Sequence, residues 1–263
     1  MRPRKKRGEE GKFWPRCEAR SCLEIGRAVQ AQSITRHTSW TVRAVWGAVI
    51  FLALIGMAAT VRRAIVLFHS PQISAARFAP VATLDEGFAR HFVLTFVHIV
   101  PGFLFMALAP FQFVRGLRNR RPRLHRWSGR IVIASGLVIG ISALVMSYRM
   151  AIGGPNETAA TTLFALLFLF SLTKALVHIR RREIAMHREW MIRAFGIGLG
   201  IATTRPIVGM FFAMQRLSPR EFFGIAFWLG FTVTLIAAEA WIHYTQPSLR
   251  GSLPAGSVAS PDA

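Results

Sequence analysis

The sequence predicts an all-α fold: a polytopic bundle of about six transmembrane helices with both termini on the cytoplasmic face. Three observations point there. Apolar runs of about twenty residues, the length that crosses the hydrocarbon of a bilayer, recur along the 263 residues. Short arginine-rich breaks separate them, and the 33 lysines and arginines crowd every second break, the asymmetry that sets orientation. Only helices and closed barrels satisfy backbone polar groups in lipid, and runs of this length are helices.

Spans are expected near 40–61, 91–114, 130–149, 159–179, 190–214 and 221–243. Residues 1–39 are basic and lack apolar periodicity, so they read as a disordered cytoplasmic tail. A transmembrane domain over 40–243 and a second disordered tail over 244–263 follow. The first apolar run, near Trp40, reads as an uncleaved span. The tail through Arg43 carries eleven lysines and arginines, residues 115–130 seven and residues 174–193 six. The other face carries seven in all, from Arg62 to Arg220. This places a multi-pass protein in the inner membrane with its basic turns inside.

A net charge of +21 also suits nucleic acid, but the arginines cluster between spans, where orientation would put them. Acidic lipid headgroups are therefore the expected partner, and nucleic acid is not. Cys17 and Cys22, with four residues between them, have no second Cys or His pair, so no metal site is expected. The chain has no Ser-His-Asp set, no His-Glu-x-x-His and no phosphate-binding glycine loop. No catalytic residue can be named, and an enzymatic role would need a cofactor to carry the chemistry.

Ionisable groups within spans are functional candidates. In the second span His91, His98, Phe105 and Gln112 recur every seven residues and form one stripe, expected to face the bundle interior. In the fifth span Arg205 precedes Pro206. At about 1.5 Å per residue Arg205 and His98 reach a similar depth and, with Thr203 or Thr204, could form a polar cluster near the outer face. At the inner face His125, His178, His187 and His243 sit at helix ends, with Glu239 one turn before His243. The stretch LHRWSGR, residues 124–130, is echoed by MHREWMIR, residues 186–193, and Gly136 and Gly198 each lie eleven residues past the histidine. Gly136-Leu-Val-Ile-Gly140 and Gly196-Ile-Gly-Leu-Gly200 are small-xxx-small patterns, which pack helices or mediate oligomers. They could instead leave room for a flat cofactor between the third and fifth spans.

With His98, Pro110-Phe-Gln-Phe113, Leu124-His-Arg-Trp-Ser-Gly-Arg130 and His187-Arg-Glu-Trp-Met-Ile-Arg193 in this order, the chain resembles the bacterial membrane proteins called domain of unknown function 2306. The resemblance covers roughly residues 90–215 and implies a multi-helix membrane protein without a settled activity. Its motif positions here are His98, Gln112, His125, Arg126, His187, Arg188 and Arg193. A fainter similarity links the histidine-bearing helix, its glutamine and the basic turn to cytochrome b561-type proteins.

Three functions remain open. Haem b held by His125 and His187, with Arg126, Arg188 and Arg193 at its propionates, would make an electron carrier; no other cofactor is expected. A small-anion or lipid binding or transport module would use the same arginines as its cytoplasmic mouth, with His98, Arg205 and Glu239 along the route. A structural membrane protein would use these groups for packing and orientation alone.

Overall fold

The computed structural model describes residues 19–69 and 86–245, with side chains of the first helix described from Trp40. Seven helices follow one another: α1 Ala19–His69, α2 Phe92–Gln112, the short α3 Arg115–Arg120, α4 Pro122–Arg149, α5 Gly154–Arg180, α6 Ile184–Met214 and α7 Pro219–Thr245. A helical turn over residues 86–90 precedes α2, and the described residues contain no strand. All but α3 are long and apolar enough to cross a membrane, over Trp40–Phe68, Phe92–Gln112, Pro122–Met150, Gly154–Arg180, Ile184–Met214 and Pro219–Thr245.

Several boundaries differ from expectation, three of them for a local reason. Helix α1 starts at Ala19, inside the segment expected to lack order, because residues 19–39 contain no proline and include three Ala, three Arg and two Gln, all good helix formers. The remaining tail residues, 1–18 and 246–263, lie outside the described residues. Helix α4 starts at Pro122 rather than near 130. Proline suits a first helical position because its missing N–H would have no partner there, and the residue before it is pushed out of helical geometry, as Arg121 is at φ −133° and ψ 66°. Helix α6 starts at Ile184 rather than near 190, after a turn in which Arg182 takes the left-handed conformation at φ 64°. The motifs LHRWSGR and MHREWMIR are thus opening turns of helices, not loops.

The chain clusters into two units, Met1–Ala48 and Val49–Ala263. Within the second, α4 packs on α2 and α5, α6 on α5 and α7, and α7 also on α5. The remainder of α1 lies along α2, with Gly56 against Met106 and Thr60 near Gly102.

The seven-residue stripe of α2 meets α4 in antiparallel register. His98 bonds Ser142 at 2.9 Å, Gln112 bonds Ser128 at 2.7 Å, and between them Phe105 lies against Gly136. Each step of seven along α2 is matched by one of about seven along α4, so a single helix face carries all three contacts.

Phe105 is 1% exposed and sits at the centre of the main apolar core. A Cβ on Gly136 would lie 3.4 Å from its ring, and one on Gly198 only 2.7 Å away. The two glycines that share a spacing after their histidines therefore flank the same ring, from α4 and from α6. Phe168 and Phe195 hold it from other directions, at centroid distances of 5.6 and 6.3 Å. The other glycines of the two small-xxx-small patterns serve close packing within the chain. Gly140 meets Leu169, Gly196 meets Ala238 and the carbonyl of Thr234, and a Cβ on Gly230 would lie 3.0 Å from the Gly200 carbonyl. The small-residue faces of α4 and α6 are taken up by α5 and α7, and the room expected for a flat cofactor is filled by Phe105.

Replacing Gly198 by alanine is expected to destabilise the bundle by about 1–3 kcal/mol, the usual cost of overpacking a filled core. Because the clash is with Phe105, the double variant Gly198→Ala/Phe105→Leu should lose less than the sum of its parts. Thermal unfolding in detergent checks this; strict additivity would mean the two residues do not share the contact.

Candidate functional site

The ionisable side chains of the bundle gather at its two ends. The arginine-rich end is built by the C-terminal turns of α2, α5 and α7 and the N-terminal turns of α4 and α6. His125 and His187 occupy equivalent places here, each donating one of the first N–H bonds of its helix, to Arg121 at 3.1 Å and Glu183 at 3.0 Å. The His187 Nδ1–H donates to the carbonyl of Ala175 at 2.8 Å. A carbonyl only accepts, so Nδ1 carries a proton and donates it here. His125 is half-buried and lies within electrostatic range of His187 and Arg118. Its Nδ1 is buried without a partner, as are His178 Nε2 and Trp190 Nε1.

The deeper arginines are engaged. Arg193 makes a two-pronged bond to Glu239, Nε to Oε1 at 2.6 Å and Nη2 to Oε2 at 3.0 Å. Its guanidinium also lies 4.7 Å from the Trp190 ring, with Glu189 at 3.8 Å. Arg188 donates to Thr245 Oγ1 at 2.9 Å, so α6 fastens α7 twice. His178 pairs with Glu183 across the α5–α6 turn. Lys174, half-buried on α5, lies over the Trp190 ring at 5.8 Å. By contrast Arg118, Arg120, Arg121, Arg123, Arg126 and Arg130 are all exposed, and no ion pair among the described residues includes them.

Gln112 explains part of the motif that follows it. Its Nε2 donates to Ser128 Oγ, which donates on to the Leu124 carbonyl at 2.7 Å. A Cβ on Gly129 would lie 3.1 Å from Gln112 Oε1, so the Ser-Gly of LHRWSGR is a seat for the glutamine.

At the opposite end His98 meets Ser142, whose hydroxyl donates to the Val138 carbonyl at 2.6 Å. With that proton committed, His98 Nδ1–H is the donor. Arg205 lies on the exposed face of α6, within electrostatic range of His98, Arg62 and Glu157. The neighbouring threonines do not join it: Thr203 and Thr204 bond the carbonyls of Leu199 and Ile201 in their own helix, at 3.2 and 2.7 Å.

Of the residues singled out by sequence, then, His125, His187, Gln112, Arg126, Arg188, Arg193 and Glu239 share the arginine-rich end, and His98 and Arg205 share the other. Arg193 and Arg205 are about 18 Å apart along α6 at 1.5 Å per residue, and Glu239 is tied to the former. Arg205 and Glu239 therefore lie at opposite ends of the bundle. Glu157 is the residue sequence reading missed. It is 9% exposed and accepts the Gly153 N–H at 2.6 Å, which caps α5. Its signal was present in Gly154-Pro155-Asn156-Glu157, a proline at a helix start with an acid in the first turn. Among the described residues no three His, Cys, Asp or Glu side chains are arranged to hold a metal ion.

The family model described as predicted membrane protein (DUF2306) matches residues 95–242. The chain belongs to that family, and the match takes in every helix of the bundle from α2 to α7. No curated protein and no solved structure matches the chain.

Glu239→Ala is expected to cost about 1.5–3 kcal/mol, the range for hydrogen bonds to charged groups, and to cost much less in an Arg193→Met background, where the partner is gone. Unfolding midpoints of the two single variants and the double variant test this. Equal losses in both backgrounds would mean that the pair does not hold α6 to α7.

Proposed function

We propose that this member of the family is an inner-membrane protein that binds anionic headgroups or small anions at its arginine-rich end, with that end and both termini facing the cytoplasm. One observation carries the reading. Every buried polar side-chain atom without a partner among the described residues, His125 Nδ1, His178 Nε2 and Trp190 Nε1, belongs to this end. Buried polar atoms are nearly always bonded, and these lie at the same end as the exposed arginines that have no acidic partner among the described residues, a setting that fits an anionic ligand at those arginines. Anionic lipid attracts such a surface by about 1 kcal/mol per basic residue, and guanidinium is suited to gripping phosphate oxygens in pairs.

Haem b held by His125 and His187 is the second reading. It draws on the placing of His187, whose Nδ1 bonds a carbonyl and leaves Nε2 as the other ring nitrogen, and on the unpartnered Nδ1 of His125. The residues fit it poorly, because the space between α4 and α6 on which it depends is taken by the Phe105 ring. The anion reading needs no such space.

The test is retention of phosphatidylglycerol by the purified full chain, counted by native mass spectrometry against phosphatidylcholine. Changing Arg118, Arg120, Arg121 and Arg123 together to glutamine should reduce retained phosphatidylglycerol by about tenfold or more, given the contribution of each basic residue. The effect should shrink as salt is raised. Undiminished retention in the folded quadruple variant would refute the proposal.

A further inference from the structure

The opposite end of the bundle holds an arginine inside an apolar span that makes no ion pair among the described residues. Arg205 lies nine residues before Met214, the last residue of α6, about 13 Å in from that end at 1.5 Å per residue. No hydrogen bond or ion pair among the described residues includes it. A charged side chain at such a depth is unfavourable unless it finds a partner or water, by about 2.5–3.5 kcal/mol at a helix centre on insertion scales.

The charges around it do not supply that partner. Arg62 on α1 repels it, and Glu157 on α5 attracts it from beyond ion-pair distance. The Glu157 carboxylate is already held by the Gly153 N–H at the start of α5. His98 directs its Nδ1–H to Ser142 and brings no negative charge. Thr203 and Thr204 spend their hydroxyls on their own helix. The guanidinium is left on the exposed face of α6, next to Pro206, which cannot donate a backbone N–H. No hydrogen bond among the described residues uses its donors.

We propose that Arg205 is the anchor of a second, separate oxyanion site in the outer half of the bilayer, taking a phosphate-type group, with Glu157 behind it as a positioning residue that weakens the grip. The planar guanidinium offers paired donors to phosphate oxygens, and low dielectric makes such a bond stronger than in water. The Glu157 carboxylate, within range of the same guanidinium, competes with the incoming anion for its charge. Removing that carboxylate while keeping its cap on α5 should therefore tighten binding. A purely structural Arg205, snorkelling to the surface, predicts no such gain. The proposal does not depend on the arginine-rich end.

The experiment uses the full chain with Arg118, Arg120, Arg121 and Arg123 changed to glutamine, so that binding at the other end does not contribute. Reconstituted in phosphatidylcholine nanodiscs, it is titrated with phosphatidylglycerol or, separately, with inorganic phosphate, and the unfolding midpoint and retained ligand are followed. Phosphatidylglycerol should stabilise the protein; Arg205→Leu should abolish this, and Arg205→Lys should weaken it by about tenfold through loss of the paired bond. Glu157→Gln, which can still accept the Gly153 N–H, should bind at least a few-fold more tightly. Stabilisation by inorganic phosphate alone, again lost in Arg205→Leu, supports the same site with a soluble oxyanion as its source. Unchanged binding in Arg205→Leu, or weaker or equal binding in Glu157→Gln, overturns the proposal. If Arg205→Leu fails to fold, the direction of the Glu157→Gln effect decides.

Discussion

One aromatic ring between two glycines sets the geometry of this bundle. Transmembrane helices gain nothing from hydrophobicity when they meet, since lipid is as apolar as leucine, so they associate where small residues allow close approach and large ones fill what remains. Phe105 of α2 fills the centre, and Gly136 of α4 and Gly198 of α6 make the space for it. The ring sits in the register in which α2 and α4 are aligned. That register brings His98 to Ser142 near one end and Gln112 to Ser128 near the other. The same economy recurs between α6 and α7, where Gly196, Gly200 and Gly230 bring the two backbones together and the Arg193–Glu239 pair closes the end.

A centre packed with phenylalanine pushes polar chemistry outward. The arginine-rich end carries paired histidines, unpartnered buried ring nitrogens and a run of exposed guanidiniums; the other end carries Arg205, His98 and the capped carboxylate of Glu157. Each set is assembled from several helices, so neither survives a change of register. The two are not joined through Glu239, which belongs wholly to the first. What the fold offers is an apolar middle separating two ends that carry its ionisable groups.

Much of this was legible in the sequence because membranes simplify the code. The six spans followed from apolar length, and the α2 face from a spacing of seven. The starts of α4 and α6 were not, because arginine-rich motifs look like loops until Pro122 is recognised as a first helical residue. Glu157 escaped for a related reason: its helix was expected to begin after it. The glycines were seen, but their partners were not. Gly136 and Gly198 could frame a slot or receive a side chain, and only the position of Phe105, contributed by a helix distant in sequence, decides between these. Pairings such as Arg193 with Glu239, 46 residues away, have no local signal at all.

The ring of Phe105 and a porphyrin cannot occupy the same space between α4 and α6, so the account is tested most directly by light absorption. The full chain, purified from cells amply supplied with haem, should be colourless, with no reduced-minus-oxidised haem bands. A stoichiometric haem spectrum that disappears when His125 or His187 is changed to alanine would contradict the packed centre on which the rest is built.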